Sequence, residues 1–93
     1  MLTGALVRAA RALLGMEQRE VAELAGVSTA TVRRIEAVDG VPAAHTQSLT
    51  AIRRMFEERN VVFIAHPMGD GLLLRRPGGE ADQLPNIPGF FFL

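Results

Sequence analysis

Two amphipathic helical periods in this chain are separated by only two residues, Gly26 and Val27. That spacing constrains the fold more than any other feature. In the first period Val21, Ala22, Leu24 and Ala25 recur at helical intervals, and Glu17 and Glu20 stand near its start, where carboxylates favour the positive end of the helix dipole. The second opens on Ser28, whose hydroxyl can accept a backbone N–H left unbonded at a helix start, and carries Val32 and Ile35 as its apolar pair. Helices over residues 17–25 and from Ser28 to Glu36 or Ala37 must therefore meet across a tight turn. Gly26 provides the left-handed stop between them.

The remaining elements follow from the same kind of reading. Thr3 can cap a helix over residues 4–14, in which Leu6, Ala9 or Ala10, Leu13 and Leu14 recur at helical spacing until Gly15 stops it. Thr46 can cap a fourth helix over 47–59, with Leu49, Ile52, Met55 and Phe56 as its stripe and Asn60 as a left-handed end. Val61, Val62, Phe63, Ile64 and Ala65 then form a β-branched run with apolar residues on both faces, which calls for cover on both sides. Residues 66–71 read as a turn and 72–76 as a returning strand. A lone hairpin is marginal in water, so this one should pack on the fourth helix, on a second subunit, or on both. From Pro77 the chain is rich in Pro and Gly and ends in Phe90, Phe91, Phe92 and Leu93. The expected organisation is a helical domain over 1–59, a hairpin extension over 60–76 that serves dimerisation, and an irregular tail over 77–93.

Ninety-three residues support one modest core, so any function sits on the surface of that core. The chain has no Cys and only two His, His45 and His66, far apart in sequence; no glycine-rich phosphate loop or paired-carboxylate motif follows a strand. No catalytic residue, metal site or cofactor is expected. The apolar stretch at the start carries charge, and no long uncharged apolar run follows, so the expectation is a cytoplasmic protein without membrane contact. All ten basic residues are Arg. Through Arg76 they face eight acids, an excess of two, which Glu80 and Asp82 then cancel. Any binding to a polyanion must come from local placement of Arg.

The spacing of Ala22, Gly26, Val32 and Ile35 suits two helices crossing at a small residue, with the second offered to a DNA groove. Residues 14–28, LGMEQREVAELAGVS, continuing through Thr31, Val32, Arg33, Arg34, Ile35 and Glu36, resemble the Cro and phage-repressor (Xre-type) helix-turn-helix family. The likeness spans about residues 2–56. It implies a bundle of four or five helices, sequence-specific binding of double-stranded DNA as a homodimer on inverted half-sites, and regulation of transcription. The fold expected is thus mainly α, a repressor-like helix-turn-helix domain followed by a short β-hairpin and an irregular tail.

By the same resemblance, Gln18 touches phosphate or supports the reading helix, and Ser28 either caps that helix alone or caps it and also meets a phosphate. Thr29 and Ala30 stand where the family reads base edges. Arg33 and Arg34, one turn on, can bond guanine O6 and N7 or meet phosphates. Glu36 is expected to pair with Arg11. Val61, Val62, Phe63 and Ile64 are the expected dimer contacts. The chain departs from the family at Glu17, where Ser or Thr is usual, and at Met16, where an aromatic residue or Leu is common. A second reading is an antitoxin or repressor-like module acting through a protein partner held by the tail; near-neutral charge, Glu17 and the apolar terminus favour it. That terminus can dock on its own core or a dimer mate, add a strand to the hairpin edge, or be recognised by another protein.

Overall fold

The computed structural model describes residues 2–76 and the backbone of 91–92. It is mainly helical: α1 (Gly4–Leu14), α2 (Gln18–Ala25), α3 (Thr29–Glu36) and α4 (Thr46–Glu58) precede β1 (Val61–His66) and β2 (Gly69–Leu74). Each boundary has a local cause. Thr3 Oγ1 accepts the Leu6 N–H at 3.1 Å, and α1 ends where Gly15 turns left-handed (φ 66°), its N–H bonding Ala12 O while the Met16 N–H bonds Arg11 O. α4 ends before Asn60, which takes the expected left-handed conformation at φ 71°.

Four helices build one core. Leu6, Val7 and Ala10 of α1 meet Val21 and Ala22 of α2, Val32 and Ile35 of α3, and Ile52, Met55 and Phe56 of α4. Val61 and Phe63 of β1 join the same cluster, and the Phe63 ring meets Phe56 edge-on with centroids 6.1 Å apart. The hairpin therefore packs on α4 of its own chain, the first of the covers its apolar pattern calls for. Val62 and Ile64 alternate onto the opposite face of the strand; Ile64 is buried but lies outside the core cluster.

Several boundaries shift from the sequence expectation: α2 starts at Gln18 with Glu17 as its cap, α4 ends at Glu58 and β2 at Leu74. The hairpin turn and the start of α4 shift for physical reasons. The turn of the hairpin is only Pro67 and Met68, not 66–71, because β1 pairs with β2 in continuous register from Val61↔Leu74 to His66↔Gly69. Gly69, Asp70 and Gly71 are poor strand formers alone, but the ladder to Ile64, Ala65 and His66 holds them extended. In α4, Thr46 is the first helical residue and His45 occupies the cap position without a side-chain bond. There His45 O accepts both the Ser48 and Leu49 N–H groups, at 3.0 and 3.2 Å, so the first turn closes on backbone alone. Of the fates open to the apolar terminus, the backbone shows the added strand: β3 (Phe91–Phe92) pairs antiparallel with Ile64 and Ala65, giving the order β2-β1-β3. The rest of the expected irregular tail, 77–90 and Leu93, lies outside the described residues.

α1 is placed by a backbone contact. Its first two N–H groups, which no helical carbonyl can satisfy, bond the loop after α3: Gly4 N to Gly40 O at 2.9 Å and Ala5 N to Asp39 O at 3.3 Å. A Cβ on Gly4 would lie 1.9 Å from Val38 O and 2.3 Å from Ile35 O, and both obstacles are backbone. Gly4→Ala should therefore lower stability by about 1–3 kcal/mol or more in urea unfolding, as overpacked interiors do. Gly40→Ala meets nothing within 4 Å and should change the midpoint little.

Candidate nucleic-acid interface

The α2–α3 junction is set by conformation rather than by crowding. Gly26 sits at φ 72° with nothing within 4 Å of where a Cβ would stand, so the demand for Gly is the sign of φ. The next N–H, of Val27, reaches back to Ala22 O at 3.0 Å and closes α2. Ser28 Oγ then accepts the Thr31 N–H at 3.0 Å and shares a 2.8 Å hydrogen bond with Thr31 Oγ1. Val32 and Ile35, both fully buried, turn the back of α3 into the core. Ser28, Ala30, Arg33 and Arg34 are left exposed, with Thr29 half-buried beside them.

A carboxylate fixes the far end of this helix. Glu36 is 5 % exposed. Arg11 Nε donates to Glu36 Oε2 at 2.9 Å and to Oε1 at 3.2 Å, and Arg11 Nη2 donates to Oε1 at 2.9 Å. Arg11 Nη1 donates to Met16 O at 3.0 Å, while Gln18 Nε2 adds a bond to Glu36 Oε1 at 3.2 Å. Side chains from α1 and α2 thus converge on one acid of α3. The hydrogen bond to Glu36, more than their charge attraction, raises the Arg11 pKa above its ordinary value, against the opposing effect of burial. Arg11 is therefore cationic at every pH the fold meets.

The expected Arg11–Glu36 pair is in place, and Gln18 joins it. Arg8 is the residue that the sequence reading missed. Its guanidinium donates to Glu36 O, to Val38 O at 3.3 Å and to Asp39 Oδ1, capping the last carbonyls of α3. The signal was available in the three-residue spacing of Arg8 and Arg11, which puts both on one face of α1.

Pairing also sorts the charges. Arg8, Arg11 and Arg19 each have an acid partner, respectively Asp39, Glu36 and Glu23. Arg33 and Arg34 have none among the described residues. Glu17, exposed at the start of α2, donates its own N–H to Glu20 Oε1 at 3.1 Å.

An amphipathic second helix, locked from behind and bare in front, set across a glycine turn from the first, defines the class of DNA-binding helix-turn-helix domains. Residues 7–43, from within α1 to the loop after α3, match the model of a helix-turn-helix family, consistent with the resemblance to Cro and the phage repressors (Xre-type). Comparison with curated proteins gives no match. No helix among the described residues is long and apolar enough to cross a membrane.

Removing one partner from the acid cluster should cost far more than its surface position suggests. Arg11→Met leaves the Glu36 carboxylate buried with only Gln18 beside it, and stability should fall by about 3–5 kcal/mol. A double-mutant cycle with Glu36→Gln measures the coupling: the pair of substitutions together should cost much less than the sum of the two alone.

Proposed function

We propose that the protein regulates transcription by inserting α3 into the major groove of double-stranded DNA, as a homodimer on inverted half-sites. The observation that carries this reading is the front of α3. Thr29, Ala30, Arg33 and Arg34 are not consumed by the fold, and the two Arg have no acid partner among the described residues, while the back of the same helix is fixed by Val32, Ile35 and Glu36. In this reading Thr29 and Ala30 meet base edges or a thymine methyl, Arg33 and Arg34 reach guanine or phosphate, and Ser28 meets a phosphate at the helix start. Gln18 stands behind them, holding Glu36.

The dimer draws on the hairpin. Of the four expected contacts, Val61 and Phe63 are spent on the core of their own chain and Ile64 is buried as well, so the contribution to a second subunit falls to the half-buried Val62. Two subunits double the phosphate contacts open to a weakly charged chain and match a two-fold symmetric site. Such a protein works in the cytoplasm, on the chromosome.

Selection from a pool of random-sequence duplexes with the full chain should recover an inverted repeat. Arg33→Ala and Arg34→Ala should each retain the wild-type melting transition. Each should lose about 1–3 kcal/mol of binding if it reads a base, or flatten the log–log salt slope by about 0.9 per subunit if it meets a phosphate. If both variants bind the recovered duplex as the wild type does, the proposed reading face is wrong.

A further inference from the structure

β1 is the middle strand of its sheet, yet only one of its edges is paired along its length. On one side β2 follows it from Val61 to His66; on the other β3 meets Ile64 and Ala65 alone. Opposite Val61, Val62 and Phe63 that second edge pairs with no strand among the described residues. Free main-chain groups on an edge invite another strand, and in a two-fold dimer that strand is the same one from a second copy. Beside this free stretch stands Val62, half-buried and on the face turned away from α4.

Centred on Phe63, an antiparallel pairing of two β1 strands uses Val61 to Ala65 of both. It sets each Val62 opposite the other copy's Ile64 and each Val61 opposite its Ala65. The places beside Ile64 and Ala65 are the two that Phe92 and Phe91 of the same chain hold in register. Ile64 shows how well that end of the edge is covered. Across β2 it faces Gly71, which brings no side chain, and its Cγ1 lies 3.7 Å from where a Gly71 Cβ would stand. It lies outside the core cluster and is still only 8 % exposed, and the strand on its remaining side is β3. We propose that the C-terminal strand of each chain caps the edge through which β1 pairs with a second copy, so that dimerisation requires the terminus to leave. The proposal rests on the dimer reading above and adds to it a competitor within the chain. A pairing of two residues is short for a strand, so the cap opens readily.

The test uses the full chain, with the dimer dissociation constant measured by sedimentation equilibrium. The chain has no Cys, so Ala65→Cys combined with Phe91→Cys allows one disulfide within a chain, between residues opposite in register. Residues so placed in an antiparallel pair have Cα atoms about 4.5–5.5 Å apart, within the reach of that bond. Oxidised, this protein holds the cap shut and should stay monomeric at concentrations where its own reduced form dimerises. Phe91→Pro combined with Phe92→Pro removes both N–H groups from β3 and should tighten the dimer. With the edge free in about a third of wild-type molecules, the gain is about tenfold, because both subunits must be open. Melting curves show that each variant keeps its fold. Oxidised protein that dimerises as tightly as reduced protein, or a proline variant with the wild-type constant, overturns the proposal and leaves the dimer itself standing. So does a disulfide that joins two chains instead of closing within one, which would assign β3 to the other subunit. Wild-type and proline-variant proteins that both stay monomeric at every concentration remove the dimer reading, and this competition with it.

Discussion

The Glu36 carboxylate is the constraint on which the arrangement of the first three helices turns. Apolar contacts at Val32 and Ile35 hold α3 against the core but resist rotation and sliding only weakly, since side chains of similar shape repack at modest cost. A buried charge is different, because it must keep its donors within hydrogen-bond reach. Arg11 supplies a fork from α1 and Gln18 an amide from α2, so the angle at which α3 presents its front is set from two directions. Arg8 extends the hold past the end of the helix to Val38 and Asp39, and the same loop caps α1 at Gly4. Pulling any one of these contacts apart loosens the others, because they lie along one connected path of backbone and side chain.

The hairpin draws its stability from a different source. Two strands alone are marginal in water, and β2 contributes two glycines and an exposed turn. What holds them is the burial of Val61 and Phe63 beside Phe56, on the face turned to α4. The front of α3 and the sheet therefore belong to one rigid core while using separate parts of its surface. A second subunit engaged through Val62 would leave the DNA face of each copy uncovered.

Much of this was legible in the sequence because it is local. The 26–27 turn, the Ser28 cap, the Gly15 stop and the left-handed Asn60 each depend on a few neighbouring residues, and all four appear where the pattern puts them. The Arg11–Glu36 pair spans 25 positions and came from family resemblance, since nothing in the spacing alone ties those two residues. The Gly4 crossing was not legible: a small residue at a helix start has many explanations, and only the path of a loop some 35 positions on makes it necessary. The hairpin turn was misread for a related reason. Gly69 to Gly71 look like loop when taken alone and become strand only against a partner whose ladder runs to His66. The base-reading roles proposed for Thr29, Ala30, Arg33 and Arg34 are less legible still, because a side chain on the outer face of a helix declares its freedom but not its ligand.

The neutral total of the chain then ceases to weigh against a polyanion partner. Charges on a protein surface act over roughly the Debye length, about 8 Å at physiological salt, so an acid matters to a DNA phosphate only if it stands nearby and unpaired. Asp39 and Glu36 are each engaged with an Arg of α1, and Glu23 faces Arg19. Glu57 and Glu58 lie at the opposite end of α4 from His45, roughly 18 Å along the helix at 1.5 Å per residue, and are screened from its first turn. What remains near the front of α3 is Arg33 and Arg34, with Glu17 and Glu20 at the start of α2 as the nearest acids in sequence not matched to an Arg. Glu17 and Glu20 cap each other, the Glu17 N–H donating to Glu20 Oε1 and the Glu20 N–H to the Glu17 carboxylate, and accepting a hydrogen bond cancels no charge, so the pair is what stands to weaken a phosphate contact. The electrostatic question at this surface is thus a competition between two arginines and two glutamates, and the sum over the other charges says little about its outcome.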